Sequence, residues 1–475
     1  MDNDIKFPLQ LLKNIKGQQL ESFLIAYEGW RRGLKLTWYS ENENNSIFNL
    51  PVGITGCFFS LSNNESTHFF FRTRGDKVSN EGLKIGRDKN STKELLEKNN
   101  VSVPMGKKFR SLNKKDIFEY ANKIGYPIVL KPLDSSMGKG VFCDIQDASE
   151  LETTYSYFIQ NYNFKHCIIE KQYYGEEHRI YVVGDEAVSC INRKQAFVIT
   201  DGVHNIRQLI DIKNQERIKN PYLRDKPIRI DKEIETNLAK QNLDLDTVYD
   251  AEIYIKLRNI SNLSKGGEPH EVSNKISTEI KSMAVRALKS LPNVAHGGVD
   301  IIINPDDNNK GTVIEVNTIA EIVFHFYPLS GESVQIPSKI IDYYFPETKN
   351  FNRSNFYFDY LDIKKTLDSG QIKSLTLDNY QAGKIHETLI TIKVPKVTGT
   401  RMNIVRYSAI KEKFSGTIKK ADDKIIDLKL LHTDVDIKDF VTNITNKISG
   451  EITSYDSFVS ETTFHLCGFY TIKKK

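Results

Sequence analysis

The stretch Gly298 to Thr318, GVDIIINPDDNNKGTVIEVNT, constrains this chain more than any other. Two apolar runs, Val299 to Ile303 and Thr312 to Val316, flank a polar segment rich in Asn, Asp and Gly, which is the pattern of a β-hairpin with a longer connection. Side chains alternate along a strand, so Glu315 and Asn317 share a face, and Asp300 on the partner strand can join them. Three hard oxygen donors then converge, a composition that suits Mg²⁺, which takes a few carboxylate oxygens beside phosphates and water. A solvated polar face on an ordinary hairpin is the competing explanation.

With 475 residues, the chain is long enough for about two to four domains with sizeable cores. Its net charge of +5 is small and its lysines are scattered, which argues against a nucleic-acid surface, where basic residues gather into a stripe. Polyanionic small ligands such as nucleotides stay compatible with that balance. The five cysteines are odd in number and form no CxxC pair, which points to reduced thiols. The start, MDNDIKFPLQ, lacks a signal-peptide core, and no apolar run reaches membrane-spanning length. A cytoplasmic protein with no membrane partner is the expectation.

Along the chain, Leu20, Phe23, Leu24 and Tyr27 recur at helical spacing before the alternating strand Leu34 to Trp38. Ser79 to Asn99 reads as two short helical pieces around Asp88 and Lys89. Ile276, Ile280, Ala284, Ala287, Leu288 and Leu291 form the apolar stripe of a core-facing helix just before the opening hairpin. After Phe345 and Pro346 a polar, aromatic-containing stretch reads as a linker. From about Thr388 the order strand, helix, strand, strand, helix, strand is the ferredoxin-like split unit, βαββαβ. The fold class expected is α/β and α+β.

Four further stretches bear on the hairpin. In YPIVLKPLDSSMGKGV a strand delivers Lys131 and then a loop, Asp134 to Gly140, whose Gly138 and Gly140 let backbone N–H groups approach phosphate oxygens. Its spacing does not fit a P-loop, and an exposed turn is the plain alternative. In IIEKQYYGEEHRIYVV, Glu170 and Lys171 end an apolar strand, with Tyr173 and Glu177 close behind, where a nucleobase and ribose can sit; a strand-end ion pair is the default for such charges. Arg258 precedes the amide- and Gly-rich loop NISNLSKGG, which suits bidentate capture of phosphate or carboxylate. Arg193, at a strand end, faces either the same anions or solvent.

The order of these motifs carries a resemblance. DK (Asp88, Lys89), the Lys131 to Gly140 loop, IIEK (Ile168 to Lys171), GEEHR (Gly175 to Arg179), DGVHNIRQLID (Asp201 to Asp211), LRNISNLSKGG (Leu257 to Gly267), GGVDIII, VIEVNT and HFYPLSGESVQIPSKIIDYYFP (His325 to Pro346) together resemble an ATP-grasp carboxylate-amine ligase. They are most similar to the ATP-grasp parts of cyanophycin synthetase and the bifunctional glutathione synthetases. The resemblance implies a pre-ATP-grasp domain over 1–85, an ATP-grasp domain over 86–346 and a linker over 347–387. It implies that Lys89 and Lys131, with the loop residues Ser136, Gly138 and Gly140, bind nucleotide phosphates. Glu170, Lys171 and Tyr173 would lie near the adenine, and Glu177 would hold the ribose. Asp300, Glu315 and Asn317 would hold Mg²⁺, with Mn²⁺ as the substitute, while Arg258 and Arg193 neutralise the reacting phosphates.

Two departures stand out. D-alanine-D-alanine ligases have an Arg two residues before the first metal Asp, where this chain has Gly298, so Arg258 is expected to supply that charge. After Thr318 the chain reads Ile-Ala-Glu, where relatives often have a small residue and Pro-Gly.

The activity implied is ATP-dependent amide formation through an acyl phosphate, from an amino acid or short peptide and an amine, by a monomer or homo-oligomer. The competing reading is a non-catalytic nucleotide-binding scaffold or sensor. Residues 388–475 resemble an acylphosphatase domain, with Arg406 at the phosphate-binding Arg position. Met402, Asn403 and Ile404 replace small loop residues, and Lys420 stands where an Asn orients water, so a degenerate domain is expected.

Overall fold

The computed structural model describes residues 12, 14–40, 48, 55–133, 140–379, 382–433 and 437–472. The chain packs as two units. The first is built around Phe71–Tyr343, and the second gathers N-terminal segments with Tyr344 onward.

In the first unit, elements are numbered from Asn80. Helices α1 (Asn80–Arg87) and α2 (Lys89–Lys98) follow each other with only Asp88 between them. Asp88 ends α1 through its N–H to the Ile85 carbonyl and starts α2 by accepting from the Ser91 amide at 2.8 Å. Strand β1 (Gly106–Arg110), helix α3 (Lys114–Ile124), strands β2 (Ile128–Pro132) and β3 (Phe142–Ile145), helix α4 (Ala148–Asn161) and strand β4 (His166–Lys171) form a four-stranded antiparallel sheet in the order β1-β4-β2-β3. Its core, including Ile117, Ile128, Leu130, Leu151, Phe158 and Ile169, lies between the sheet and its helices.

A second sheet begins with β5 (Glu176–Val183) and β6 (Glu186–Lys194). The chain then leaves for β7 (Phe197–Ile199), α5 (Ile206–Lys219), α6 (Lys232–Lys240) and β8 (Tyr254–Lys256), with β7 and β8 paired. It returns through β9 (Glu268–Glu271), α7 (Thr278–Lys289), β10 (His296–Asn304) and β11 (Asp307–Asn317), giving the sheet order β9-β6-β5-β10-β11. Ser277 caps α7 by accepting from the Ile280 amide. The stripe foreseen in that helix is buried: Ile280, Ala284, Ala287, Leu288 and Leu291 pack with Val299, Ile301, Val313 and Val316 of the hairpin. Strand alternation therefore turns Asp300 and Glu315 to the opposite face. The hairpin turns more tightly than expected, with Asp307 already paired to Asn304, and the register then shifts so that Gly311 meets Ile303.

In the second unit, strands Ser374–Leu377, Lys35–Tyr39, Phe58–Ser62 and Thr67–Phe71 lie side by side in that order. Trp30, Trp38, Phe59, Phe358 and Tyr360 make an aromatic core there. The stretch 347–387, expected as a linker, is thus folded: it holds helix Tyr360–Asp368 and a strand whose backbone completes the edge of Lys35–Tyr39. Of its aromatics, Phe356, Phe358 and Tyr360 are buried, while Phe351 is exposed. From Ile385 the chain forms a five-stranded sheet in the order Glu451–Val459, Ile385–Lys393, Ile425–Thr433, Ser415–Lys420, Phe469–Ile472. Helices Gly399–Lys411 and Lys438–Lys447 supply Val405, Ala409, Val441 and Ile444 to its core.

Candidate active site

The site grows from one register. Asp300 on β10 pairs directly with Glu315 on β11 and, on its other side, with Arg179 on β5. Gly298 pairs with Asn317. The middle of the sheet thus presents acid, base and amide side by side, as the alternation of the hairpin foretold for Asp300, Glu315 and Asn317.

Asp300 is buried and held by two guanidiniums. Arg179 grips it with both arms, one of them Nη2 to Oδ2 at 2.8 Å, and Arg193 from β6 donates to Oδ2 at 3.0 Å. Burial pushes the Asp300 carboxyl up, but the two arginines prevail and hold it below the usual carboxylate range. Arg193 also pairs with Glu177, which accepts in addition from the Ser261 hydroxyl. Burial raises Glu177 above its ordinary value, against the pull of Arg193. Asn317 keeps a buried Nδ2 without a partner.

Arg179 is the residue that sequence reasoning missed. Gly298 explains it: a Cβ there would stand 2.7 Å from the Arg179 Cδ, so the absent side chain leaves the space that this arginine fills. The charge expected from Arg258 comes instead from Arg179 on the neighbouring strand. The signal was the alternation in GEEHRIYVV, which puts Glu177 and Arg179 on one face.

Beside this cluster, Gly86, Lys89, Thr92, Lys93, Lys131, Glu170 and Glu315 line a common cavity. Lys89 is the first residue of α2, where the helix dipole disfavours a cation, and its ammonium reaches the Leu133 carbonyl at 3.4 Å. Lys131 and Glu170, placed by sequence at opposite ends of a nucleotide, form a buried ion pair. They are diagonal neighbours, because Lys131 pairs with Ile168 two residues away from Glu170. Lys93, unforeseen, donates to the Gly106 carbonyl at 2.9 Å, and burial lowers its pKa.

Other expectations are corrected. Lys171 turns away from Glu170, as alternation requires, and its ammonium donates to the carbonyls of Gly125 and Tyr126 at 3.1 and 2.8 Å, at the C-terminal end of α3. Arg258 is occupied by Glu233 at 2.6 Å, Asp231 at 2.8 Å and the Arg229 carbonyl at 2.9 Å, so it braces the excursion around α6 rather than meeting Asp300. Tyr173, two residues past the end of β4, is half-buried. Gly140 takes a left-handed φ of +72° that favours glycine, while Ser136 and Gly138 lie outside the described residues.

The register sets the carboxylates of Asp300 and Glu315 beside Asn317, whose amide oxygen is the atom it could offer, so the set can present hard oxygen donors. This chemistry fits Mg²⁺. Among the described residues no group of three or more His, Cys, Asp or Glu side chains is arranged to hold a metal ion by itself.

Residues 86–202 match the family described as RimK-like ATP-grasp domain. Cyanophycin synthetase of Crocosphaera subtropica is 31% identical over 56% of this chain and 31% of its own length. Glutathione biosynthesis bifunctional protein GshAB of Pasteurella multocida is 29% identical over 55% of this chain and 36% of its own. The chain therefore spans about a third of these relatives. The crystal structure of a bifunctional glutathione synthetase from Pasteurella multocida shares 24% identity over 61% of this chain and 41% of that one, with a TM-score of 0.48.

Proposed function

We propose that this chain, an ATP-grasp protein of mixed α/β content by its RimK-like domain, is an ATP-dependent carboxylate-amine ligase. It forms an amide on an amino acid or short peptide and releases ADP and phosphate. One observation carries the proposal: Glu315 both lines the cavity of Lys89 and Lys131 and stands in register with Asp300, so phosphate-binding cations adjoin a carboxylate pair.

In this reading Lys89 and Lys131 hold the nucleotide phosphates, and Asp300, Glu315 and Asn317 hold Mg²⁺ or Mn²⁺. The bound cation supplies Lewis acidity at the phosphoryl oxygens. Arg179 and Arg193 face the substrate carboxylate, offsetting its repulsion from the triphosphate as it attacks the γ-phosphorus. ADP leaves, the amine adds to the acyl carbon of the acyl phosphate, and inorganic phosphate departs. Relatives named as synthetases support this class of reaction.

The N-terminal segments belong to this reading as a pre-ATP-grasp domain. The C-terminal sheet belongs to it as a ferredoxin-like, acylphosphatase-like domain without hydrolytic activity. Its strand order supports that assignment: numbered in chain order, its first four strands lie as 4-1-3-2, every neighbour antiparallel. Lys420, at the water-orienting position, is tied to Asp423 at 2.5 Å, which supports degeneracy. A cytoplasmic location accords with the described residues, of which no helix is long and apolar enough to cross a membrane.

The test is ADP release from full-length protein with ATP, Mg²⁺ and pooled amino acids and dipeptides, with product masses recorded. Asp300→Asn and Glu315→Gln abolish turnover if the assignment holds; full turnover in both refutes it. Nucleotide binding without ADP release over the whole panel favours the scaffold.

A further inference from the structure

Glu321 is the departure from the family pattern that the site has not absorbed. It lies four residues beyond Asn317 and is half-buried. Among the described residues its carboxylate has one hydrogen-bond partner, the Tyr222 hydroxyl at 2.7 Å, and no ion pair. Tyr222 is itself buried and fixed, its ring tilted on Phe324 with centroids 5.3 Å apart. A candidate counter-ion, Lys226, places its ammonium 3.1 Å from the centre of the Tyr222 ring and makes no ion pair with Glu321. A half-buried carboxylate whose hydrogen bond comes from a neutral hydroxyl, with no cation in ion-pair contact, has room for a charged partner.

Glu321 also follows Ala320, whose Cβ, like the Cδ of the Arg179 that grips Asp300, borders the space at Gly298. Burial lowers Lys226 to about 8, with Glu321 opposing that shift. The wider surroundings add Glu21, which Arg72 pairs at 2.9 Å. The acyl side of an amide-forming site needs cations, which Arg179 and Arg193 supply. The amine side needs the reverse, because an amine arrives protonated at neutral pH and must be held as an ammonium before it loses its proton.

We propose that Glu321, oriented by Tyr222, is the specificity-determining carboxylate of an amine subsite, and that the second substrate is received as a cation whose ammonium pairs with it. The proposal rests on the ligase reading for its place in a reaction. Binding of the cation does not depend on that reading, and this separates the two in experiment.

The probes are glycinamide, which carries an ammonium and no carboxylate, and acetamide, its neutral counterpart. Their binding to the full chain is followed by saturation-transfer NMR with ATP and Mg²⁺ present. Glycinamide binds the wild type saturably and acetamide does not; Glu321→Gln weakens glycinamide at least tenfold at unchanged melting temperature, and Tyr222→Phe weakens it less. In parallel, neutral hydroxylamine traps any acyl phosphate as a hydroxamate, and Glu321→Gln leaves that trapping intact. Equal glycinamide binding by wild type and Glu321→Gln, or none by the wild type, overturns the subsite even where hydroxamate forms. Glu321-dependent binding with no hydroxamate from any carboxylate upholds the subsite and overturns the ligase reading.

Discussion

Gly298→Ala is the smallest change that tests how the centre is built. A Cβ at this position would lie 2.7 Å from the Arg179 Cδ and 2.8 Å from the Ala320 Cβ, where carbon atoms settle at about 3.5–4.0 Å. Arg179 must therefore retreat by most of an ångström and cannot keep both arms on Asp300. Overpacking of this kind costs about 1–3 kcal/mol. Weakening a buried pair adds to it, though Arg193 still holds Asp300, and relief of glycine's unfolded-state entropy returns about 0.5–1 kcal/mol. The net expectation is about 2–3 kcal/mol, which corresponds to about a 30- to 150-fold loss of protection. Native-state hydrogen exchange of the β5 and β10 amides reads this locally, which suits a chain of two units better than a global melt. Gly399→Ala is the control, because nothing lies within 4 Å of its added Cβ. Two results refute the reasoning: unchanged protection of β10 in Gly298→Ala, or an undiminished loss when Arg179 is first truncated to Ala, which would put the clash on Ala320 alone.

Two further outcomes follow from buried charge. Lys131→Met leaves Glu170 buried without its partner, at a cost of about 3 kcal/mol. The double variant with Glu170→Gln recovers most of that stability but not ATP affinity, read from melting curves with and without nucleotide; recovered affinity would make Lys131 purely structural. His296 is buried against the Tyr181 hydroxyl at 3.1 Å, and burial lowers its pKa from 6.5 to about 3. The unfolded chain therefore binds the extra proton first, so stability is full above pH 6.5 and falls with acid, by about 2 kcal/mol between pH 7 and 5. His296→Gln shows a correspondingly shallower decline in urea midpoint, and an equal slope in both proteins would exclude this histidine as the cause.

Local periodicity made much of the architecture legible. The 3.6-residue stripe from Ile280 to Leu291 and the two-residue alternation of Asp300, Glu315 and Asn317 depend only on near neighbours, and both appear as read. Partnerships across distance were not legible in the same way. Arg258 looked free beside its Asn- and Gly-rich loop because Asp231 and Glu233 lie well upstream, in an excursion whose path no local pattern encodes. Arg179 faces Asp300 only after β5 and β10 pair, and more than a hundred residues separate them. Lys171 illustrates the opposite error: adjacency to Glu170 suggested a shared role, while strand alternation sends the two side chains to opposite sides. The folded segment 347–387 was hidden because its strand gains order from the edge of Lys35–Tyr39, far away in sequence.

The single residue between α1 and α2 has a consequence for how Lys89 should be understood. Asp88 has φ −92° and ψ 105°, and these two angles alone set the bend between the helices, since no other residue separates them. The elbow has no slack: whatever direction Asp88 imposes, the next residue inherits. The reach of the Lys89 ammonium into the cavity is thus written in the backbone of its neighbour, and a substitution that spares the lysine but loosens the joint would move a charge without removing it.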